Sequence, residues 1–145
     1  MSVNEDVLRR LIMELQILQE TSDAIQQRIS LTYSAMNELQ VAYNTLEGIK
    51  KEKKGSSLLV PIGGGSYIKS NLEDSEKLIV GIGANIAVEK NFGEAQKVFQ
   101  TRLLRLEQAR DSLQKQFEEI ATKITNTRTN FQTLSEQLQE GKRIV

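Results

Sequence analysis

The chain has 145 residues, enough for one domain, and its 19 basic and 19 acidic residues leave no net charge to attract nucleic acid or an anionic membrane. It has no cysteine and no histidine, which excludes disulfides, thiolate nucleophiles, imidazole catalysis and the usual zinc sites. Aromatic residues make up 5% of the chain and there is one proline, so a thin helical structure is favoured over a thick globular core.

The amino-terminal sequence, MSVNEDVLRR, lacks the apolar run of a secretory signal. No segment approaches the roughly 20 apolar residues that a membrane-spanning helix needs. We therefore expect a cytoplasmic protein that binds neither membrane nor nucleic acid.

The first zone, residues 1–54, repeats apolar side chains at alternating steps of three and four. Ten of its twelve seam positions are apolar or aromatic and the phase never slips, which predicts a coiled-coil helix. Ser2 and Glu5 match a capping box, which places the helix start near residue 2. The seam positions are Leu8, Leu11, Leu15, Leu18, Ser22, Ile25, Ile29, Thr32, Met36, Leu39, Tyr43 and Leu46.

The last zone, residues 91–145, has the same pattern, again with ten of twelve seam positions apolar or aromatic. Asn91 is a suitable N-cap, with Glu94 at the third helical position after it. A second coiled-coil helix is therefore predicted. Its seam positions are Phe99, Leu103, Leu106, Arg110, Leu113, Phe117, Ile120, Ile124, Thr127, Phe131, Leu134 and Leu138.

The two ladders span 39 and 40 residues, or about 60 Å each as helices. Folding the chain back at its middle would place Leu46 near Phe99 and Leu8 near Leu138, with both chain ends at one tip. The alternative is a parallel dimer of each helix with its twin. Such dimers usually pair opposite charges beside the seam, and only three flanking positions of the first helix and four of the second are charged. An intramolecular antiparallel hairpin is therefore favoured.

The middle zone, residues 55–90, holds most of the chain's nine glycines and its one proline. Four short aliphatic runs are separated by turn residues, which predicts two β-hairpins. Gly63–Gly65 would close the first hairpin and Gly83–Asn85 the second. The predicted strands are Ser57–Ile62, Ser66–Leu72, Lys77–Ile82 and Ile86–Glu89.

These hairpins need cover, and a narrow coiled coil offers little surface to supply it. Lys69 is the only charged residue between Gly55 and Asn71, and a lone two-stranded hairpin is marginal in water. Because exposed apolar strands promote edge-to-edge association, we predict that several subunits pool their hairpins into a shared sheet or barrel. The face predicted to do so comprises Leu58, Val60, Ile62, Ile68, Leu72, Leu78, Val80, Ile82, Ile86 and Val88.

The predicted fold is thus mostly α with a small β part. It is a single domain in which a long antiparallel coiled-coil hairpin carries, at its bend, two β-hairpins that join an oligomeric β-barrel. The string LVPIGGGSYIKSNLEDSEKLIVGIGANIAVEKNFGEA, Leu59–Ala95, lies between the two heptad helices. It closely resembles the prefoldin family, and within that family the archaeal-type alpha subunits.

The resemblance implies a hexamer of two alpha and four beta subunits, in which a β-barrel platform carries six coiled coils. It also implies that the coiled-coil tips capture unfolded polypeptides without ATP or another cofactor and pass them to a group II chaperonin. Since both chain ends are predicted at the tip, the client-binding candidates are Val3, Val7, Leu8, Leu11, Ile12, Leu134, Leu138, Ile144 and Val145. For Leu8, Leu11, Leu134 and Leu138, closing the last heptad is an alternative role.

An enzyme is not expected, because the acidic residues are scattered along helix surfaces. Gly63–Gly65 is not followed by the Lys-Ser/Thr pair and helix of a phosphate-binding loop. The remaining alternative to a co-chaperone subunit is an architectural coiled-coil scaffold that oligomerises through its β segment.

Overall fold

The computed structural model describes residues 3–74 and 76–144, except for the side chains of residues 143 and 144. Two long helices enclose four short strands along the chain, in the predicted order. The elements are α1 (Val3–Lys50), β1 (Ser57–Gly63), β2 (Ser66–Asn71), β3 (Lys77–Gly83), β4 (Ile86–Asn91) and α2 (Phe92–Ile144). The chain divides into two compact units, one formed by residues 3–34 and 108–144 and the other by Ala35–Glu107.

The heptad seams are confirmed residue by residue. All 24 predicted seam residues are buried or half-buried, while most residues between them are exposed. A repeat that averages 3.5 residues keeps one line of side chains facing a neighbouring helix. The burial of side chains along the helices therefore follows the heptad repeat of the sequence.

In the unit formed by Ala35–Glu107 the two helices run antiparallel. Gln96 Nε2 donates a hydrogen bond to Glu47 Oε1, and one turn further along α2 Gln100 Nε2 donates to the Tyr43 hydroxyl at 3.5 Å. A step of four residues forward on α2 thus corresponds to a step of four residues back on α1. This is the pairing expected of a chain that folds back on itself.

α1 ends at Lys50, four residues before the predicted boundary. The amides of Lys51 and Glu52 bond three residues back, to the carbonyls of Gly48 and Ile49, which tightens and ends the last turn. Gly55 then adopts a φ of 89° and donates its amide to the Leu72 carbonyl at 2.7 Å. The chain has already left the helix and entered the base of the first hairpin.

Both predicted β-hairpins are present, with strand ends within one or two residues of the predicted bounds. β1 pairs antiparallel with β2 in one two-stranded sheet, and β3 pairs with β4 in another. Val60 is opposite Ile68 in the first sheet, and Val80 is opposite Val88 in the second. Each register shifts just before the turn, which leaves the predicted face residues Ile62 and Ile82 without a cross-strand partner.

The two turns use the same left-handed backbone with different residues. Gly64 and Gly65 have φ values of 59° and 73°, and the equivalent Ala84 and Asn85 have φ values of 52° and 59°. Two successive positive φ angles are the requirement of a type I′ turn, whose twist matches the twist of the flanking strands. Glycine and asparagine accept this conformation readily, whereas Ala84 holds it against the steric preference of its Cβ.

The predicted N-cap of the second helix is confirmed at Asn91. Its Oδ1 accepts the Glu94 backbone amide at 2.8 Å, and its Nδ2 donates to Glu94 Oε1 at 3.0 Å. One amide of the first helical turn is thereby satisfied, and α2 begins directly where β4 ends. The capping box predicted at Ser2 lies outside the described residues.

The core of the Ala35–Glu107 unit lies where the end of α1, the start of α2 and β3 meet. Its buried residues are Leu46, Val80, Phe92 and Ala95, and the partly buried Ile49, Leu78, Val98 and Phe99 pack against them. We expected the coiled coil to offer little surface to cover the hairpins, but for the second hairpin the two helices do supply cover. One face of β3 packs on helices of its own chain.

In the unit formed by residues 3–34 and 108–144, Ile25 and Ile124 are buried together with the small polar seam residues Ser22 and Thr127. Small side chains at a seam allow helices to approach closely, so these positions are more buried than most of the leucines. Nearer residue 34, the Tyr33 hydroxyl accepts a hydrogen bond from Gln114 Nε2 at 3.3 Å. The Arg110 guanidinium lies over the same ring, 5.8 Å from its centroid.

Candidate assembly and client-binding surfaces

The first hairpin, formed by β1 and β2, is uncovered on both faces. Among the residues predicted to mediate assembly, Val60, Ile62 and Ile68 are exposed, while Leu58 and Leu72 at the base are half-buried. The opposite face carries exposed Leu59 and Tyr67, which the sequence analysis left out of the assembly set. Both faces thus carry apolar side chains without cover from this chain.

The second hairpin, formed by β3 and β4, presents a different surface. Val80 is only 2% exposed, in the core of its own unit, so the prediction that it faces another subunit is corrected. Arg102 Nη2 also donates to the Gly81 carbonyl at 2.6 Å and fastens β3 to α2. The predicted assembly residues Leu78 and Val88 are half-buried, whereas Ile82 and Ile86 are exposed.

Sequence reasoning missed Ile79, which is 75% exposed on the face of β3 opposite to Val80. Alternation alone shows that Ile79 and Val80 face opposite ways, but not which face a helix will cover. The sequence did hold a signal for this surface, because the faces opposite to the predicted ones also carry apolar residues. These residues are Leu59, Pro61 and Tyr67 in the first hairpin and Ile79 in the second. The surface that can meet another chain is therefore broader in the first hairpin, while in the second it comprises Ile82 and Ile86 near the turn and Ile79 on the opposite face.

The residues predicted to bind clients fall into three groups. Val3, Val7 and Ile12 are exposed on α1. The half-buried residues follow the heptad seams and are Leu8, Leu11, Leu134 and Leu138. The side chain of Ile144 and all of Val145 lie outside the described part of the chain.

Five exposed apolar or aromatic side chains on α1 were also missed, namely Met13, Ile17, Leu31, Tyr33 and Val41. All five lie outside the heptad seam, and none was among the residues predicted to bind clients. In the described part of the chain, no cluster of three or more acidic residues could hold a metal ion. Neither helix, over those same residues, has an apolar stretch long enough to span a membrane.

Comparison with known proteins agrees with the fold. The family model "Prefoldin subunit" matches residues 18–137. The chain is 36% identical over 110 residues to prefoldin subunit alpha of Pyrococcus horikoshii, covering 75% of this chain and 74% of that protein. It is also 36% identical over 107 residues to prefoldin subunit alpha of Methanopyrus kandleri, covering 74% of this chain and 68% of that protein.

The fold is also found in a solved structure, the filamentous PFD of Methanocaldococcus jannaschii determined by cryo-EM. The two chains superpose with a TM-score of 0.70 at 23% sequence identity, over 79% of this chain and 95% of the other. At this identity the likeness concerns the fold alone. The matched family model and the archaeal alpha-subunit relatives together show that this chain belongs to the prefoldin family of chaperone subunits.

Proposed function

We propose that the chain is a cytoplasmic co-chaperone subunit that captures unfolded polypeptides without ATP, at the tips of its coiled coil, and delivers them to a group II chaperonin. Its partners would be prefoldin beta subunits, in a hexamer of two alpha and four beta chains. Its similarity to archaeal alpha subunits supports this assignment of partners. The observation that carries client capture is the exposure of Val3, Val7 and Ile12 on α1.

Assembly is supported by the uncovered first hairpin. An isolated two-stranded sheet is marginally stable, and its outer strands present unpaired amides and carbonyls. Val60, Ile68 and Tyr67 would lose exposed apolar area if a neighbouring subunit extended or covered this sheet, and that loss is favourable. A shared β-barrel built from several hairpins would pair the amides and carbonyls of the outer strands and would cover the apolar side chains.

Capture is supported by the kind of contact that exposed aliphatic side chains make. Val7 and Ile12 can contact an apolar segment of an unfolded chain through dispersion and the hydrophobic effect, which need no nucleotide. Each contact is weak, and several coiled coils on one platform would add avidity. Weak contacts of this kind allow release, which delivery to a chaperonin requires.

The test uses the assembled complex and citrate synthase diluted from guanidinium chloride, with light scattering recorded in the absence of nucleotide. The wild-type complex is expected to suppress scattering, and the Val7→Gln/Ile12→Gln double variant to lose most of that suppression. Both residues are exposed and glutamine is a good helix former, so the coiled coil should remain intact. Val41→Gln makes the same change at an exposed residue elsewhere on α1 and should behave as wild type.

An architectural scaffold predicts a different outcome, in which the wild-type complex assembles but leaves scattering unchanged. Delivery has its own measurement, the recovery of citrate synthase activity after a group II chaperonin and ATP are added to the captured enzyme. Failure of recovery with intact suppression would remove delivery from the proposal and leave capture standing.

A further inference from the structure

An apolar column lies on the outer surface of α1, away from the heptad seam. Ile17, Ala24 and Leu31 recur every seven residues, each about 200° around the helix from the seam residue two positions before it and about 100° from the seam residue that follows it. Met13 lies one turn before Ile17. We call these four residues the outer column. Met13, Ile17 and Leu31 are 63%, 60% and 65% exposed, and Ala24 is exposed as well.

The neighbouring helix has no such surface. Over residues 108–142 of α2 every leucine, isoleucine and phenylalanine is buried or half-buried. Its exposed positions are mostly glutamine, threonine, asparagine and charged residues. In the described part of this unit, the exposed large apolar side chains therefore all belong to α1.

The outer column borders a groove between the two helices. Ile17 lines one section of the groove with Arg28 and Gln116. Leu31 lines the next section, which shares Arg28 and Gln116 and has Ser112 on its α2 side. Met13 does not line this groove, whose α1 side mixes apolar and polar side chains and whose α2 side is formed by Ala109, Ser112, Leu113 and Gln116.

The exposed area determines what kind of occupant fits. Met13, Ile17 and Leu31 together expose on the order of 400 Å² of mainly apolar surface, about half of the 800 Å² per partner that a stable interface buries. This apolar area is too small to hold a helix of a second copy permanently. A segment that binds weakly and is released fits the available area.

The side chains in and around the column also favour a segment that binds weakly and is released. Glu20 and Arg28 line the groove with opposite charges, so they do not select a charged partner. Met13 has an adaptable, unbranched side chain of the kind used at promiscuous binding surfaces. We infer that the outer column is a lateral client-binding surface that receives an extended apolar segment of an unfolded polypeptide. This inference rests on the proposed function and extends its contact area along α1, beyond Ile12.

The experiment measures affinity for a permanently unfolded probe, fluorescein-labelled reduced and carboxymethylated α-lactalbumin, by fluorescence anisotropy with the assembled complex. Ile17→Gln/Leu31→Gln is expected to raise the apparent Kd about fivefold or more, because two apolar contacts with the probe are lost. The matched control is Leu104→Gln, an exposed leucine of α2 in the other unit, and it should leave the Kd unchanged.

A Kd within about twofold of wild type for the double variant, with native mass and helix content preserved, would overturn the inference. A changed native mass would also overturn it, by showing that the column contacts another copy. If the double variant does not fold, photocrosslinking replaces the affinity measurement, with benzoylphenylalanine in place of Ile17 in the otherwise wild-type chain. The benzoylphenylalanine should crosslink to the probe, while the same group at the exposed Gln132 of α2 should not. If the wild-type complex fails to bind the probe at all, the proposed function itself is wrong.

Discussion

At the scale of single residues, β3 shows how one strand can serve two purposes. Val80 and Ile79 are adjacent, and their side chains are 2% and 75% exposed. Val80 packs with Leu46, Phe92 and Ala95, so it stabilises the chain's own core. Ile79 points away from that core and is available to another chain. Strand alternation places the two side chains on opposite faces, and which face is covered depends on where α1 and α2 meet.

The division can be measured by replacing each residue with alanine. Val80→Ala is expected to lower the free energy of unfolding of the isolated chain by roughly 1–2.5 kcal/mol, since it removes two buried methyl groups and leaves a cavity. Ile79→Ala removes a larger but exposed side chain and should change the free energy of unfolding by less than about 0.5 kcal/mol. Urea denaturation followed by circular dichroism gives both values. Equal losses for the two variants would contradict the placement of Val80 in the core.

At the scale of elements, the helices and strands could be predicted closely because local patterns specify them. The seam from Leu8 to Leu46 keeps one heptad phase, and Asn91 with Glu94 marks the start of α2. Two features could not be predicted from local sequence patterns. After the early end of α1 the Gly55 amide bonds to the Leu72 carbonyl, and the second hairpin is held to α2 in part by Arg102, 21 residues from Gly81. Both are contacts between residues well separated in the sequence.

The two hairpins should consequently differ in local stability. The second has a buried anchor in Val80 and the bond from Arg102, while the first has exposed side chains on both faces. Hydrogen exchange of the isolated chain, read by mass spectrometry, should be faster for β1 and β2 than for β3 and β4. On assembly with partner subunits, the first hairpin should gain the larger protection, because it has more uncovered surface to lose.

A matched variant makes the comparison specific. Arg102→Met keeps much of the aliphatic side chain but removes the donor to the Gly81 carbonyl, so it should speed exchange in β3 and β4 and leave β1 and β2 unchanged. Equal protection of the two hairpins in the isolated wild-type chain would show that the first hairpin does not depend on a partner.

At the scale of the whole molecule, two sets of exposed apolar residues have different proposed uses. One set lies on the β-hairpins, with Val60, Ile68 and Ile79, and would be covered on assembly. The other lies on α1 between Val3 and Leu31, and would remain open to clients. The first set could be predicted in part from the sequence, because apolar strands need cover. Only the beginning of the second could be predicted, because heptad analysis assigns apolar residues to the seam and expects the outer positions to be polar.

The central claim is that this chain assembles with partner subunits and that the assembly holds an unfolded polypeptide without nucleotide. Native mass spectrometry of the complex, purified after co-expression with an archaeal prefoldin beta subunit and incubated with reduced, carboxymethylated α-lactalbumin, tests both parts at once. We expect a complex of six chains, two of them this one, and a second population heavier by the mass of the bound probe. A monomer or simple dimer, or a six-chain complex that never carries the probe, would contradict it.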